Sequence, residues 1–269
     1  MEKSENMSEH EHLRIELRKI EKWEKDQKGL FFWERLARLP FSALDKVTPK
    51  FIHQKIEKLL DEIAKYVDNG GQYLANTSAT LEKASAQLQE NKQLSIEDIQ
   101  HLSLKEMDEL AEYFIEVRKK NAQLQGATTG VGGIFTLAID IPFVLGLTLK
   151  TLQEVAVSYG YDPTEQEERI FMVKCMQFSS SDIVGKRAIL EELASGNRTQ
   201  SLQQLQGWRE VFLTYRDNLG WKKLFQMIPM AGMVFGAYIN KQAITDIGEV
   251  GMMLYRKRRI LEKVSQSKK

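Results

Sequence analysis

Cysteine, proline and charge of one sign are all scarce in this 269-residue chain. The single cysteine, Cys175, excludes a disulfide framework and any multi-cysteine zinc or iron–sulfur centre. A lone thiol also suits a reducing compartment. Five prolines and no apolar–polar alternation at period two leave helices as the building element. Lys and Arg total 38 against 37 Asp and Glu, a net charge of +1, which lacks the basic excess of a dedicated nucleic-acid binder. The first 25 residues carry seven acids (Glu2, Glu5, Glu9, Glu11, Glu16, Glu21 and Glu24), where a secretory signal needs a basic start and an apolar run. No cysteine near either end offers a lipidation site, so the chain is expected on the cytoplasmic side. With 42% hydrophobic and 28% charged residues, wholesale disorder is excluded.

Recognised chemical motifs are missing too. Gly130-Val131-Gly132-Gly133 lacks the Lys of a phosphate-binding loop, and Phe135 breaks the dinucleotide-binding glycine pattern. There is no G-x-S-x-G and no H-E-x-x-H. Glu9 with His12 and Asp98 with His101 have the i,i+3 spacing of helical metal ligands. The first pair lies in a charged terminal stretch and the second is isolated, so both spacings read as accidental. Cys175 sits among Phe171, Met172, Val173 and Met176, the setting of a buried, inert thiol. The expectation is a protein that is not an enzyme, with no cofactor and no metal.

What is present is helical periodicity along most of the chain. Residues 8–27 read as a charged amphipathic helix. Thr48-Pro49 opens a second, with Phe51, Ile52, Ile56, Leu59, Leu60 and Ile63 on one face and a stop at Asn69-Gly70-Gly71. Residues 72–94, small and polar, read as a weaker helix or a linker. Ser103 with Glu106 forms a capping box for a helix reaching about residue 124. Gly160 suits a helix end, and Asp162-Pro163 a cap and first turn. Further helices are expected from Ser181 or Asp182 to about Ser195, over 200–218, and from Pro229 to the end. The fold class is all-α, a multi-helix bundle. A charged N-terminal extension (1–100) precedes a helical domain (101–263) and a basic tail (264–269).

Two glycine-bearing apolar segments stand out. Gly126–Leu149 holds one charge, Asp140, and has the length of a membrane span. Against spanning, an Asp at a bilayer centre costs about 2.5–3.5 kcal/mol and Pro142 interrupts helical hydrogen bonding. Burial is therefore favoured over spanning. Leu224–Asn240 is uncharged but shorter. At an offset of 106, Gly126, Gly130, Asp140, Ile141 and Lys150 fall on Gly232, Gly236, Asp246, Ile247 and Arg256, a G-x3-G-x9-D-I-x8-[K/R] skeleton. Glycines four apart let a second helix approach closely, and on a continuous helix each Asp shares that glycine face. One reading is a pair of close-packed helices with two carboxylates at one level, able to bind a cation or protons. The other is that Asp140 caps a helix at Ile141-Pro142 while Asp246 pairs with Lys241 or Arg256.

Two further stretches suit a membrane surface. Phe31, Phe32 and Trp33, followed by Arg35 and Arg38, fit an interfacial helix or a core anchor. From Tyr255 onward the chain carries a net +6, with Arg256, Lys257, Arg258 and Arg259 in a row, and the rest carries −5. Such a cluster after an apolar helix attracts anionic lipid, or is a solvated helix end.

The ordered set GATTGVGG (126–133), IDIP (139–142), YGYDP (159–163) and IPMAGMVFGAYIN (228–240) resembles the EcsC protein family over roughly residues 105–260. The resemblance implies an all-helical bacterial protein from a group named after an operon with an ABC transporter, a setting of transport or protein secretion, and no catalytic residue. It lends weight to Gly126, Gly130, Gly133, Asp140, Pro142, Tyr159, Gly160, Pro229, Gly232, Gly236 and Asn240 as positions the fold uses. The functional expectation is an accessory protein, peripheral at the inner face of the cell membrane. It would dock on the membrane surface or on a membrane complex such as an ABC transporter, with no nucleic acid. The alternative is a soluble module binding a small molecule or ion through Asp140 and Asp246.

Overall fold

A computed structural model describes residues 2–27, 61–63, 65–129, 134–181, 183–195 and 232–266. The helices among them are α1 (Glu2–Asp26), α2 (Thr77–Gln87), α3 (Ile96–Gln100), α4 (Leu104–Thr129), α5 (Ile134–Ser158), α6 (Gln166–Ser180), α7 (Ile183–Ser195) and α8 (Gly232–Gln266). No strand occurs among the described residues. The Phe31–Trp33 run, the start of the Pro49 helix, the 200–218 helix and Pro229 lie outside them.

Local chemistry sets several boundaries where expected. The Ser103 hydroxyl accepts from the Glu106 N–H at 3.3 Å, and the Glu106 carboxylate accepts from the Ser103 N–H at 2.8 Å, starting α4. Ser95 and Asp98 form a second such box at α3, which holds the Asp98 carboxyl down at about 2, chiefly through the Ser95 backbone N–H. Helical residues 65–69 stop at Gly70, whose φ of 81° favours glycine. Residues 72–94 are not a linker. Asn76 accepts from the Ala79 N–H at 3.1 Å and caps α2, whose Leu81 and Ala84 join Leu94, Ile99, Leu110, Phe114 and Val157 in a satellite core. At the end of α5, Tyr161 N–H reaches the Ala156 carbonyl at 3.0 Å and Gly160 N–H the Val157 carbonyl at 2.9 Å. This paired closure requires the left-handed φ of 76° at Gly160.

Other boundaries differ. Asp162 does not cap α6. Its carboxylate accepts from the Thr164 N–H and hydroxyl at 2.9 and 2.8 Å, tightening the turn before a helix that begins only at Gln166. Asp140 and Pro142 both lie inside α5, which starts at Ile134, so Asp140 is not a helix cap either. The Gly126–Leu149 stretch is divided between α4 and α5. Gly126 therefore belongs to one helix and Asp140 to the next, whereas Gly232 and Asp246 share α8. The positions aligned at an offset of 106 are not structural equivalents. No helix among the described residues is long and apolar enough to cross a membrane.

The core is built on α4, α5 and α8. Asp108 meets both Tyr159 and Arg256, whereas Arg118 meets Glu154 and Ile115 packs on Gly248, so α4 runs antiparallel to its two partners. Gly251 faces Leu152 and Val155 while Arg259 reaches the Tyr159 carbonyl, which makes α5 and α8 parallel. The close approach rests on Gly248 and Gly251. A Cβ there would come within 2.8 Å of Ile115 and 2.7 Å of Leu152. Leu13, Ile20, Ile63, Tyr66 and Val67 belong to the same buried cluster as Met107, Leu152, Val155 and Ile247.

Candidate functional site: the two ends of the helical core

One end of the core is held by charge. There Arg256 bonds Asp108 of α4 at 2.9 Å and Glu16 of α1 at 2.7 Å. Lys257 bonds Glu24 of α1 at 2.7 Å, and Arg258 bonds the buried Glu168 of α6 at 2.6 Å. Arg258 also lies 4.1 Å from the Tyr161 ring centre and 5.4 Å from that of Phe171. Arg259, 5% exposed, donates to the Tyr159 and Gly160 carbonyls at 2.9 and 3.2 Å, capping the end of α5. Burial raises the Asp108 and Glu168 carboxyls above the ordinary range despite donors from Tyr159 and Arg256 on the first and Arg258 and Tyr255 on the second. At Glu16 burial also acts upward, but Lys19 and Arg256 prevail and leave its carboxyl low. The four-residue basic cluster, expected to face lipid, has its charges turned to partners on α1, α4, α6 and the turn after α5. Cys175 is fully buried beside this network, as expected, and burial pushes its thiol well up.

The opposite end exposes large apolar side chains. Ile115 packs on Gly248 and α4 runs against α8, so Leu124 and Tyr238 lie at the same end, where α5 also begins. Leu124 is 68% and Tyr238 55% exposed. The described parts of both glycine-bearing segments converge there. Gly126 is buried in α4 and Asn240 is buried in α8, while Gly232 and Gly236 lie in the first turns of α8. Gly130 and Gly133 lie outside the described residues.

The two Asp positions differ in height along the core. Asp246 lies on α8 five residues before Gly251, which faces Leu152 and Val155, whereas Asp140 lies twelve residues before Leu152. At 1.5 Å per residue the two positions are offset by about 10 Å along the parallel helices. Asp246 is buried and accepts from Gln242 at 2.7 Å, while Arg256 goes to Asp108 and Glu16 instead. No group of three or more His, Cys, Asp or Glu that could hold a metal occurs among the described residues.

Sequence reasoning missed a groove of about 560 Å³ on the flank of the α4–α5 hairpin, beside the apolar end. Arg118, Asn121, Leu124, Gln125, Gly146 and Lys150 line it. Arg118 is held by a two-pronged bond to Glu154, Nε to Oε2 at 2.6 Å and Nη2 to Oε1 at 2.5 Å. Lys150 is exposed and has no ion-pair partner among the described residues. The one signal in the sequence was Lys150 itself, the charge that ends the first apolar segment.

The sequence model of the EcsC protein family matches residues 14–260, extending N-terminally past the motifs to include the second half of α1. The chain is 55% identical over 263 residues to "Uncharacterized protein YdbA" of Bacillus subtilis (strain 168), spanning 96% of this chain and 97% of that protein. It is 30% identical over 165 residues to "Protein EcsC" of the same organism, covering 61% of this chain and 69% of that protein. No solved structure matches it.

Proposed function

The chain belongs to the EcsC protein family, and from that membership and the geometry of the core we propose a non-enzymatic accessory protein that docks at the inner face of the cell membrane. The complex it serves there is an ABC transporter or a protein-secretion assembly. The observation that carries this reading is the convergence of the ends of α4, α5 and α8 into one apolar end with Leu124 and Tyr238 in solvent. Exposed large apolar side chains gathered beside long apolar sequence mark a contact surface. Contact passes through this end and not through Arg256–Arg259, whose charges are already compensated inside the protein.

Fractionation of the native protein from cells tests the reading. Docking through an apolar end predicts that the protein sediments with membranes, resists a high-salt wash and is released by alkaline carbonate. Screening removes contacts between exposed charges and leaves apolar ones. A protein that never sediments with membranes would refute the proposal.

A further inference from the structure

We propose that the α4–α5 groove recognises the phosphate of an anionic phospholipid headgroup, an inference that rests on the membrane-docking reading above. The groove lies where a headgroup would sit if the apolar end entered the acyl boundary. Leu124 is at its rim. Its chemistry is that of an anion site. The Arg118 guanidinium spends Nε and Nη2 on Glu154, and its Nη1 edge has no partner among the described residues. A fork fixed on one side and open on the other is preorganised for an incoming oxyanion. Lys150 adds an exposed ammonium across the groove, and Asn121 an exposed side-chain amide that can donate.

Charge complementarity supports an anionic occupant. Around the level of the groove the helices carry Arg118, Lys119 and Lys120 on α4, Lys150 on α5 and Lys241 on α8, against Glu116, Asp140, Glu154 and Asp246. Two of those acids are already paired, Glu116 with Lys119 and Glu154 with Arg118. The remainder, Lys120, Lys150 and Lys241 against Asp140 and Asp246, is positive by one charge. Basic residues beside an apolar contact surface attract anionic headgroups.

The test is sedimentation of the full chain with vesicles of phosphatidylcholine alone and of phosphatidylcholine mixed equally with phosphatidylglycerol. The intact protein should prefer the mixed vesicles. Lys150→Glu should reduce that preference by about tenfold or more, since each basic residue near an anionic surface contributes about fivefold and a reversal counts twice. Lys83→Glu, on the exposed face of α2, carries the same charge change and should leave most of the preference intact. Lys150→Gln should fall between, and circular dichroism should find all three folded. Equal binding of the intact protein to both vesicles would overturn the headgroup site and leave membrane docking standing. Equal losses in Lys150→Glu and Lys83→Glu would overturn it as well, because only net charge would matter. Binding to neither vesicle would overturn the headgroup site, and sedimentation with native membranes would then decide the docking reading separately. If inorganic phosphate then raised thermal stability in a Lys150-dependent way, the groove would be a soluble-anion site.

Discussion

The two ends of the α4–α5–α8 core are built from opposite materials. At one end Arg256, Lys257, Arg258 and Arg259 are held by carboxylates and carbonyls from α1, α4, α6 and the α5 turn. At the other, Leu124 and Tyr238 expose large apolar side chains to solvent. Buried ions are costly to desolvate, so such a network adds little net stability but penalises any arrangement that leaves one member alone. Apolar surface left in water costs free energy in the isolated chain and returns it on contact with something apolar. The charged end thus fixes how the helices assemble, and the apolar end is available to do something with that assembly. On sequence alone the roles looked reversed, with the basic cluster as the outward-facing element.

The largest expected effect tests the charged end. Replacing Arg258 by Met leaves the Glu168 side chain, 2% exposed, without its cation. Stranding a buried charge costs about 3–5 kcal/mol, to be read by urea unfolding at neutral pH. A loss below 1 kcal/mol would mean the network is dispensable and that the two ends are not as different as their composition suggests.

The reciprocal change should be milder and should depend on pH. Glu168→Gln removes the buried acid and leaves Arg258, whose side chain is 26% exposed and has Glu262 nearby at 3.5 Å. Burial raises the Glu168 carboxyl in the fold, outweighing Arg258 and Tyr255. The folded protein therefore binds this proton more tightly than the unfolded chain does. The stability it contributes is full below the ordinary carboxyl range and is lost as pH rises through the raised value. Relative to the parent, Glu168→Gln should gain stability from pH 4 upward, and paired unfolding curves across that range would reveal it. Parallel curves would show that Glu168 is not perturbed.

How much of this was legible in the sequence follows from the range of each interaction. The Ser103–Glu106 box and the Gly160 closure depend on residues within a few positions, and both were readable from spacing and residue type. The all-helical class was legible in the same way, from periodicity. The charged end was not, because Arg256 finds Asp108 and Glu16 at separations of 148 and 240 residues, and a run of bases does not reveal where its acids lie. Two packing glycines went unnoticed for a related reason: tight contacts fall on Gly248 and Gly251, three apart in an ordinary-looking stretch of α8 outside the G-x3-G pattern. Asp140-Ile141-Pro142 has the form of a helix start, yet it continues a helix that began at Ile134. The groove needs two helices to exist, so only Lys150, the charge that ends an apolar run, could have hinted at it.

The smallest expected effect on stability is at the apolar end, and it sharpens the comparison most. Leu124→Ser and Tyr238→Ser remove apolar groups that are already 68% and 55% exposed. Exposed substitutions of this kind usually change unfolding free energy by no more than about 0.5 kcal/mol. Membrane association should respond far more strongly, because burying a large apolar side chain contributes about 1.5–3 kcal/mol and both would be lost on the docked side alone. The double variant should unfold like the parent in urea while its share in the carbonate-sensitive membrane fraction falls by about tenfold or more. Strong destabilisation would mean that Leu124 and Tyr238 are covered by the protein itself, leaving the apolar end closed. Unchanged stability with unchanged sedimentation would leave the end open but move the membrane contact elsewhere on the molecule. Only the combination of intact folding and lost association fits a core whose charged end holds it together and whose apolar end makes the contact.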